Sequence, residues 1–208
     1  KDRLLLAFLA LHPGQPQTRE RLYGILWGDR GEEQARGSLR QSLASLKEVL
    51  GAAGIDALEV NRDSVTLDSS KLSVDALDFV KFTADPSHKE QAVELYRGPL
   101  LADLDAPSPE YGQWLLPTRQ RMEEQAGALV ESIASASVSP ALLTKAVALA
   151  HQLLGRDGLR EPLYRALMQI KAKLRDRAGA MKIYAECREV LARELNLTPE
   201  LATEQLSR

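Results

Sequence analysis

Residues Arg3–Leu11 are almost without polar interruption and predict a buried first helix, closed by His12-Pro13-Gly14 and a second proline at Pro16. Thr18 is placed to cap a short helix over Arg19–Leu26, whose Leu22, Ile25 and Leu26 share one face. Gly28, just beyond Trp27, is where a left-handed helix stop is expected. A third helix is predicted from Glu32 to about Leu50. Its acidic first turn, Glu32-Glu33, suits the positive helix end, and Gly51 and Gly54 close it. The period then changes to two. Leu58 and Val60 alternate with polar neighbours, Asn61-Arg62-Asp63-Ser64 supplies turn residues, and Val65 and Leu67 alternate again, which predicts a β-hairpin. Three short helices followed by a hairpin is the element order of a winged helix-turn-helix.

Thr83-Ala84-Asp85-Pro86-Ser87 reads as a linker, and everything beyond it has helical period. Helices are predicted at Lys89–Tyr96, Pro109–Ser135, Pro140–Leu154, Leu159–Leu174 and Arg177–Glu194, with a short last one from Pro199. Helices joined by so few residues must run antiparallel, as in arrays of the tetratricopeptide (TPR) type. The clearest pair sets Leu163, Leu167, Ile170 and Leu174 against Tyr184, Cys187, Leu191 and Leu195. The expected fold class is therefore mainly α: a winged helix-turn-helix with a small β-hairpin over 1–82, then an all-α TPR-like domain of antiparallel helix hairpins over 88–208.

Composition adds bounds. The chain has 208 residues, 44% of them apolar and only 5% aromatic, enough for one large core or two modest ones. No apolar run approaches the roughly 18 residues of a membrane span, and the first residues do not form a signal peptide. No membrane association is expected. A chain that opens on Lys1 rather than Met is expected to be a piece of a longer protein. One cysteine, Cys187, excludes an internal disulfide and fits a cytoplasmic location. The formal net charge is −2, and Lys1–Val80 carries ten basic against twelve acidic residues. Any nucleic-acid contact must then come from local segregation of charge, because the domain as a whole offers no attractive field.

The third helix supplies such segregation. On a wheel of about 100° per residue centred on Leu39, the side chains of Leu43, Leu46 and Leu50 fall within about 40° and form a narrow core stripe. Arg36, Arg40 and Lys47 gather on one flank, Ser38 and Ser45 on the other, and Gln34, Gly37, Gln41 and Ala44 opposite the core. No acidic residue lies between Arg36 and Lys47, and Glu48 follows on the outer face. A major-groove helix needs this arrangement: a buried stripe, small or amide side chains toward base edges, and cations beside them for phosphates. An ordinary amphipathic surface helix would look the same on a wheel. Two flanking features favour DNA: the Thr18-capped helix start with Arg19 beside it is a natural phosphate site, and Arg62 stands at the hairpin tip where a wing reaches the duplex.

These segments, "LLLAFLALHPGQPQTRERLYGILWGD", "ARGSLRQSLASLKEVL" and "VDALDF" at Val74–Phe79, resemble the OmpR-like winged helix of the Streptomyces antibiotic regulatory protein family. The second half resembles the bacterial transcriptional activator domain that accompanies it. That likeness rests on "LYRGPLLADL" (Leu95–Leu104), Trp114 with Arg119, "LLGRDGLREPLYRALM" (Leu153–Met168) and "AGAMKIYAECREVLARELNLTPE" (Ala178–Glu200). The resemblance implies a transcription activator that binds direct repeats in promoter DNA, commonly as a homodimer and in contact with RNA polymerase. It makes the third helix the recognition helix, with Arg36, Arg40, Gln41 and Lys47 as readers. The full set of DNA-binding candidates is Thr18, Arg19, Arg36, Ser38, Arg40, Gln41, Lys47 and Arg62. Members carry strands ahead of the first helix, which are expected to be missing here because the sequence opens at that helix, and further modules beyond the helical domain, including nucleotide-binding and nucleotide-cyclase ones. Leu174 and Asn196 stand where the family has glycine; Asn tolerates the left-handed conformation. Pro117 is expected to kink its helix.

Catalytic chemistry finds no footing. His12, His88 and His151 are scattered without metal-ligand spacing. Cys187 sits on an apolar stripe and reads as core rather than nucleophile. The glycines of Gly31–Gly37 lack phosphate-loop spacing, and Asp103 with Asp105 reads as a solvated loop. Tyr111 and Trp114 read as anchors of an inter-domain or helical core. No catalytic residue, metal or cofactor is expected. Beside the DNA-binding regulator stands one other reading, favoured by the near-neutral charge. In it the winged helix has lost DNA binding, and the helical domain serves a larger signalling protein, such as a nucleotide cyclase, as an interaction module.

Overall fold

A computed structural model describes residues 1–207. The chain divides into two compact units. The first combines Lys1–Asp78 with Pro99–Gln120, and the second combines Phe79–Gly98 with the chain from Arg121 onward. The sequence placed 99–120 wholly in the helical domain. Local period cannot reveal this return of the chain, because it rests on long-range packing of Tyr111 and Leu115 into the first core.

In the first unit, helices α1 (Asp2–Ala10), α2 (Arg19–Trp27) and α3 (Glu32–Ala52) pack around a core that includes Leu5, Phe8, Leu22, Leu26, Leu39 and Leu67. Burying side chains of this size contributes about 1.5–3 kcal/mol each. Strands β2 (Leu58–Val60) and β3 (Ser64–Leu67) form the expected hairpin, with Leu58 opposite Leu67 and Val60 opposite Val65. A third strand, β1 (Gln17–Thr18), pairs antiparallel with β3 and gives the order β1-β3-β2. Gly14, at φ +65°, turns the chain into it and donates its backbone N–H to the Leu67 carbonyl at 3.1 Å. Two residues after a proline carry no alternation, so β1 leaves no signature in the sequence.

Several details differ from expectation. Gly28 is right-handed, not left-handed, at φ −61°. Its requirement is closeness: a Cβ there would stand 2.6 Å from the Gly24 carbonyl oxygen. Helix α3 runs through Gly51, and the positive φ falls on Gly54, at +73°. The segment around "VDALDF" is helical, as α4 (Asp75–Thr83), and the expected linker contains a 3-10 turn, Pro86–His88, capped by Asp85. Val60 is half-exposed, whereas Leu58, Val65 and Leu67 turn inward.

The second unit is all helix: α5 (Lys89–Leu95), the later part of α6 (Pro109–Ser135), α7 (Pro140–Leu154), α8 (Glu161–Lys173), α9 (Arg177–Leu195) and α10 (Leu201–Leu206). Ser139 accepts from the Leu142 N–H and Pro140 occupies the first turn, a strong start for α7. Helix α6 continues through Pro117, and the Thr118 hydroxyl donates to the Trp114 carbonyl at 2.8 Å. Helices α8 and α9 form the predicted antiparallel pair, with Leu163, Leu167 and Ile170 buried. On α9 the buried stripe is Ile183, Cys187 and Leu191; Tyr184 is only partly buried and Leu195 is exposed. Asn196 closes α9 in the left-handed conformation, at φ 56° and ψ 38°. Between α8 and α9 the left-handed residue is Arg175, at φ 60°, and Leu174 stays right-handed. Glu161 is a buried carboxylate that accepts from the Glu200 N–H at 2.7 Å and the Thr203 hydroxyl at 2.5 Å, tying α10 to α8. The whole is the winged helix-turn-helix and TPR-like helical architecture. Among the described residues no helix is long and apolar enough to cross a membrane.

Candidate nucleic-acid interface

Helix α3 buries Ala35, Leu39, Ser42, Leu43 and Leu46 and leaves Arg36, Arg40, Gln41, Ala44 and Lys47 exposed. Ser42, beside the core stripe, is buried as well, and its hydroxyl donates to the Asp2 carboxylate at 2.6 Å. Helix α2 begins where expected, with the Thr18 hydroxyl oxygen accepting from the Arg21 N–H at 3.2 Å.

An open groove of about 620 Å³ brings five of the eight candidates together. Thr18 and Arg19 come from the start of α2, Arg36 and Arg40 from α3, and Arg62 from the hairpin tip. The tip is fixed there by Arg19. Its backbone N–H donates to the Asp63 carbonyl, and its Nε to the Asn61 carbonyl, both at 3.0 Å. Arg19 thus positions the hairpin tip.

The groove is not purely cationic. Glu20, Glu33 and Asp63 share its lining. Arg36 is committed to neighbours: it pairs with Glu32 one turn earlier and lies over the Tyr23 ring at 5.7 Å, and these partners push its pKa upward. Among the described residues Arg40, Lys47 and Arg62 form no ion pair, so their charges are available to an anion. Ser38 and Gln41 face elsewhere, lining a smaller polar hollow of about 290 Å³ with Lys1, Asp2, Trp27, Arg30, Ser42 and Ser45. In it Arg30 donates to the Ser38 hydroxyl at 3.1 Å. Lys47 lines neither hollow.

The sequence missed Tyr23 and Arg30. Tyr23 is half-buried on α2 and meets Arg36 of α3 only through packing, so no local pattern in the sequence pairs them. Arg30 lies in a turn, where nothing local distinguishes it. Tyr111 and Trp114 also find their place in this unit. Tyr111 is fully buried and donates to the Leu4 carbonyl at 3.0 Å, and burial holds its pKa far above the phenol range. Trp114 packs on the Tyr111 and Phe8 rings at 5.0 and 4.8 Å. Arg119 pins the loop before α6 through the carbonyls of Leu100 and Leu101, each at 2.6 Å.

The architecture is a helix-turn-helix with a wing, joined to TPR-like helices. Residues 56–208 match the model of the bacterial transcriptional activator domain, and the chain belongs to that family. It is similar to the regulatory protein AfsR of Streptomyces coelicolor, 27% identical over 225 residues, covering 99% of this chain and 21% of AfsR. It is also similar to the transcriptional regulatory protein EmbR of Mycobacterium bovis, 23% identical over 215 residues, covering 96% of this chain and 54% of EmbR. The Streptomyces antibiotic regulatory protein resemblance is thereby shown. A solved structure of Mycobacterium tuberculosis EmbR, in complex with a low affinity phosphopeptide, superposes with a TM-score of 0.70 at 23% identity, over 99% of this chain and 57% of that one. The chain thus spans about a fifth of AfsR and about half of EmbR.

Proposed function

We propose that this chain is the promoter-binding part of a cytoplasmic transcription activator, with α3 entering the major groove of double-stranded DNA. The observation that carries the reading is the groove that gathers Thr18, Arg19, Arg40 and Arg62 from three separate elements around one face of α3. The start of α2 and the hairpin tip engage phosphates, Arg40 meets base edges, and Lys47 meets the adjoining backbone; Gln41, turned toward the smaller hollow, is left out of this contact. Arg36 acts from within its Glu32–Tyr23 cluster and orders the helix start more than it reads sequence. Regulatory relatives support the assignment, and the EmbR structure shares the fold. In this reading the helical unit serves dimerisation or polymerase contact.

The test is selection of genomic DNA fragments on the immobilised chain at low salt, followed by affinity measurement with Arg40→Ala combined with Lys47→Ala. The expected result is a reproducible fragment set whose affinity falls at least about tenfold in the double variant, the range for two lost charge contacts. Recovery of no fragment, or undiminished affinity in the double variant, would refute it.

A further inference from the structure

A second groove, of about 780 Å³, lies within the helical unit, between the end of α6, the α8–α9 hairpin and α10. Met168, Ala172, Ala180, Met181 and Leu206 make it apolar, and Met181 and Leu206 are each 43% exposed. Lys173, Arg175 and Arg177 rim it, and among the described residues no carboxylate lines it, in a chain whose acidic residues outnumber its basic ones by 29 to 27. Asp176, between Arg175 and Arg177 in sequence, is occupied: it pairs with Lys171 at 3.0 Å and accepts from the Gly179 N–H at 2.8 Å. Lys173 donates to the Ala136 carbonyl, whereas Arg175 and Arg177 form no ion pair among the described residues.

The backbone adds an independent sign. Arg175 holds a left-handed φ of 60°, a conformation that glycine would take without strain. A large cation is thus kept at a position that disfavours it, on the lip of a groove floored by adaptable methionine side chains.

We propose that this groove binds a partner protein through an acidic amphipathic segment, about two turns of helix. Apolar residues one turn apart would seat between Met168, Met181 and Leu206, with Asp or Glu flanking them against Arg175 and Arg177. The charge complementarity selects the occupant: an apolar floor disfavours nucleic acid, and a cationic rim disfavours basic helices. This site is separate from the α3 face, and the proposal does not rest on DNA binding.

The experiment selects a displayed library of random helical peptides against the whole chain, then repeats binding with Arg175→Gly combined with Arg177→Gln. Methyl NMR of the methionines locates the contact. Enriched peptides are expected to pair Asp or Glu with Leu, Ile or Phe at helical spacing and to shift the Met168 and Met181 signals. They should bind the double variant at least about tenfold more weakly. Because Arg175→Gly removes backbone strain, the melting temperature of the variant should not fall, so weaker binding cannot be assigned to unfolding. The proposal is overturned if no peptide is enriched, if the enriched peptides are neutral or basic, or if the double variant binds them unchanged. A DNA duplex, or self-association of the chain, that shifts the same methionine signals in place of peptide would also overturn it.

Discussion

Replacing Tyr111 tests whether residues 99–120 belong to the first unit's core. The Tyr111 side chain has no exposure, sits among Phe8, Trp114 and their neighbours, and donates to the Leu4 carbonyl at 3.0 Å. Tyr111→Phe removes only that hydrogen bond and is expected to cost about 1 kcal/mol. Tyr111→Ala also leaves a cavity the size of a ring, for about 3–5 kcal/mol. That is a large share of the roughly 5–15 kcal/mol by which such domains are stable. Both tryptophans, Trp27 and Trp114, lie in the first unit, so urea unfolding followed by tryptophan fluorescence reads that unit alone. At a slope of about 2 kcal/mol per molar, the midpoint should fall by about 0.5 M for Tyr111→Phe and about 2 M for Tyr111→Ala. An unchanged midpoint in Tyr111→Ala would refute the packing of 99–120 into the winged helix.

Asn196→Ala should destabilise the helical unit by about 1 kcal/mol, because alanine resists the left-handed cap, while Asn196→Gly should be near neutral in the same thermal unfolding assay. Cys187 is fully buried and desolvation pushes its thiol up from the ordinary 9.0 to about 11. With the folded pKa raised, its contribution to stability is complete below pH 9 and is lost as pH rises from about 9 through about 11. At pH 8 alkylation should therefore require unfolding; rapid labelling of the native chain would contradict the burial. Glu161→Ala should leave the Glu200 N–H and Thr203 hydroxyl without their acceptor and release α10, seen as faster hydrogen exchange across Leu201–Leu206 with α7 unaffected.

Much of the fold was legible because the helices obey a 3.6-residue period and are bounded by strong breakers. Pro109 and Pro140 mark two helix starts that the structure reproduces, and a third falls at Arg177 as predicted. What stayed hidden depends on distance in sequence. Strand β1 exists only because β3 offers it a partner, and Tyr111 joins the first core only because the chain returns to it. The same division holds for the site. One helix wheel exposes the Arg40 and Lys47 flank, since it is a property of one element. The acidic residues that share the groove, Glu20, Glu33 and Asp63, come from three elements, and no local pattern unites them. The Arg36–Glu32 pair lies at i,i+4 spacing and was within reach of sequence reasoning, which weighed the cations without their nearest acids.

The most direct test of the account is the salt dependence of binding to a selected DNA fragment. For the unaltered chain, log affinity should fall linearly with log salt, at a slope of about −0.9 per phosphate contact. Arg62→Ala should make that slope shallower by about one across all fragments tested, without changing their ranking. Arg40→Ala should reorder the fragments as well as weaken them. A binding constant insensitive to salt, or slopes and rankings identical in wild type and both variants, would contradict a DNA interface built on α3 and the hairpin tip.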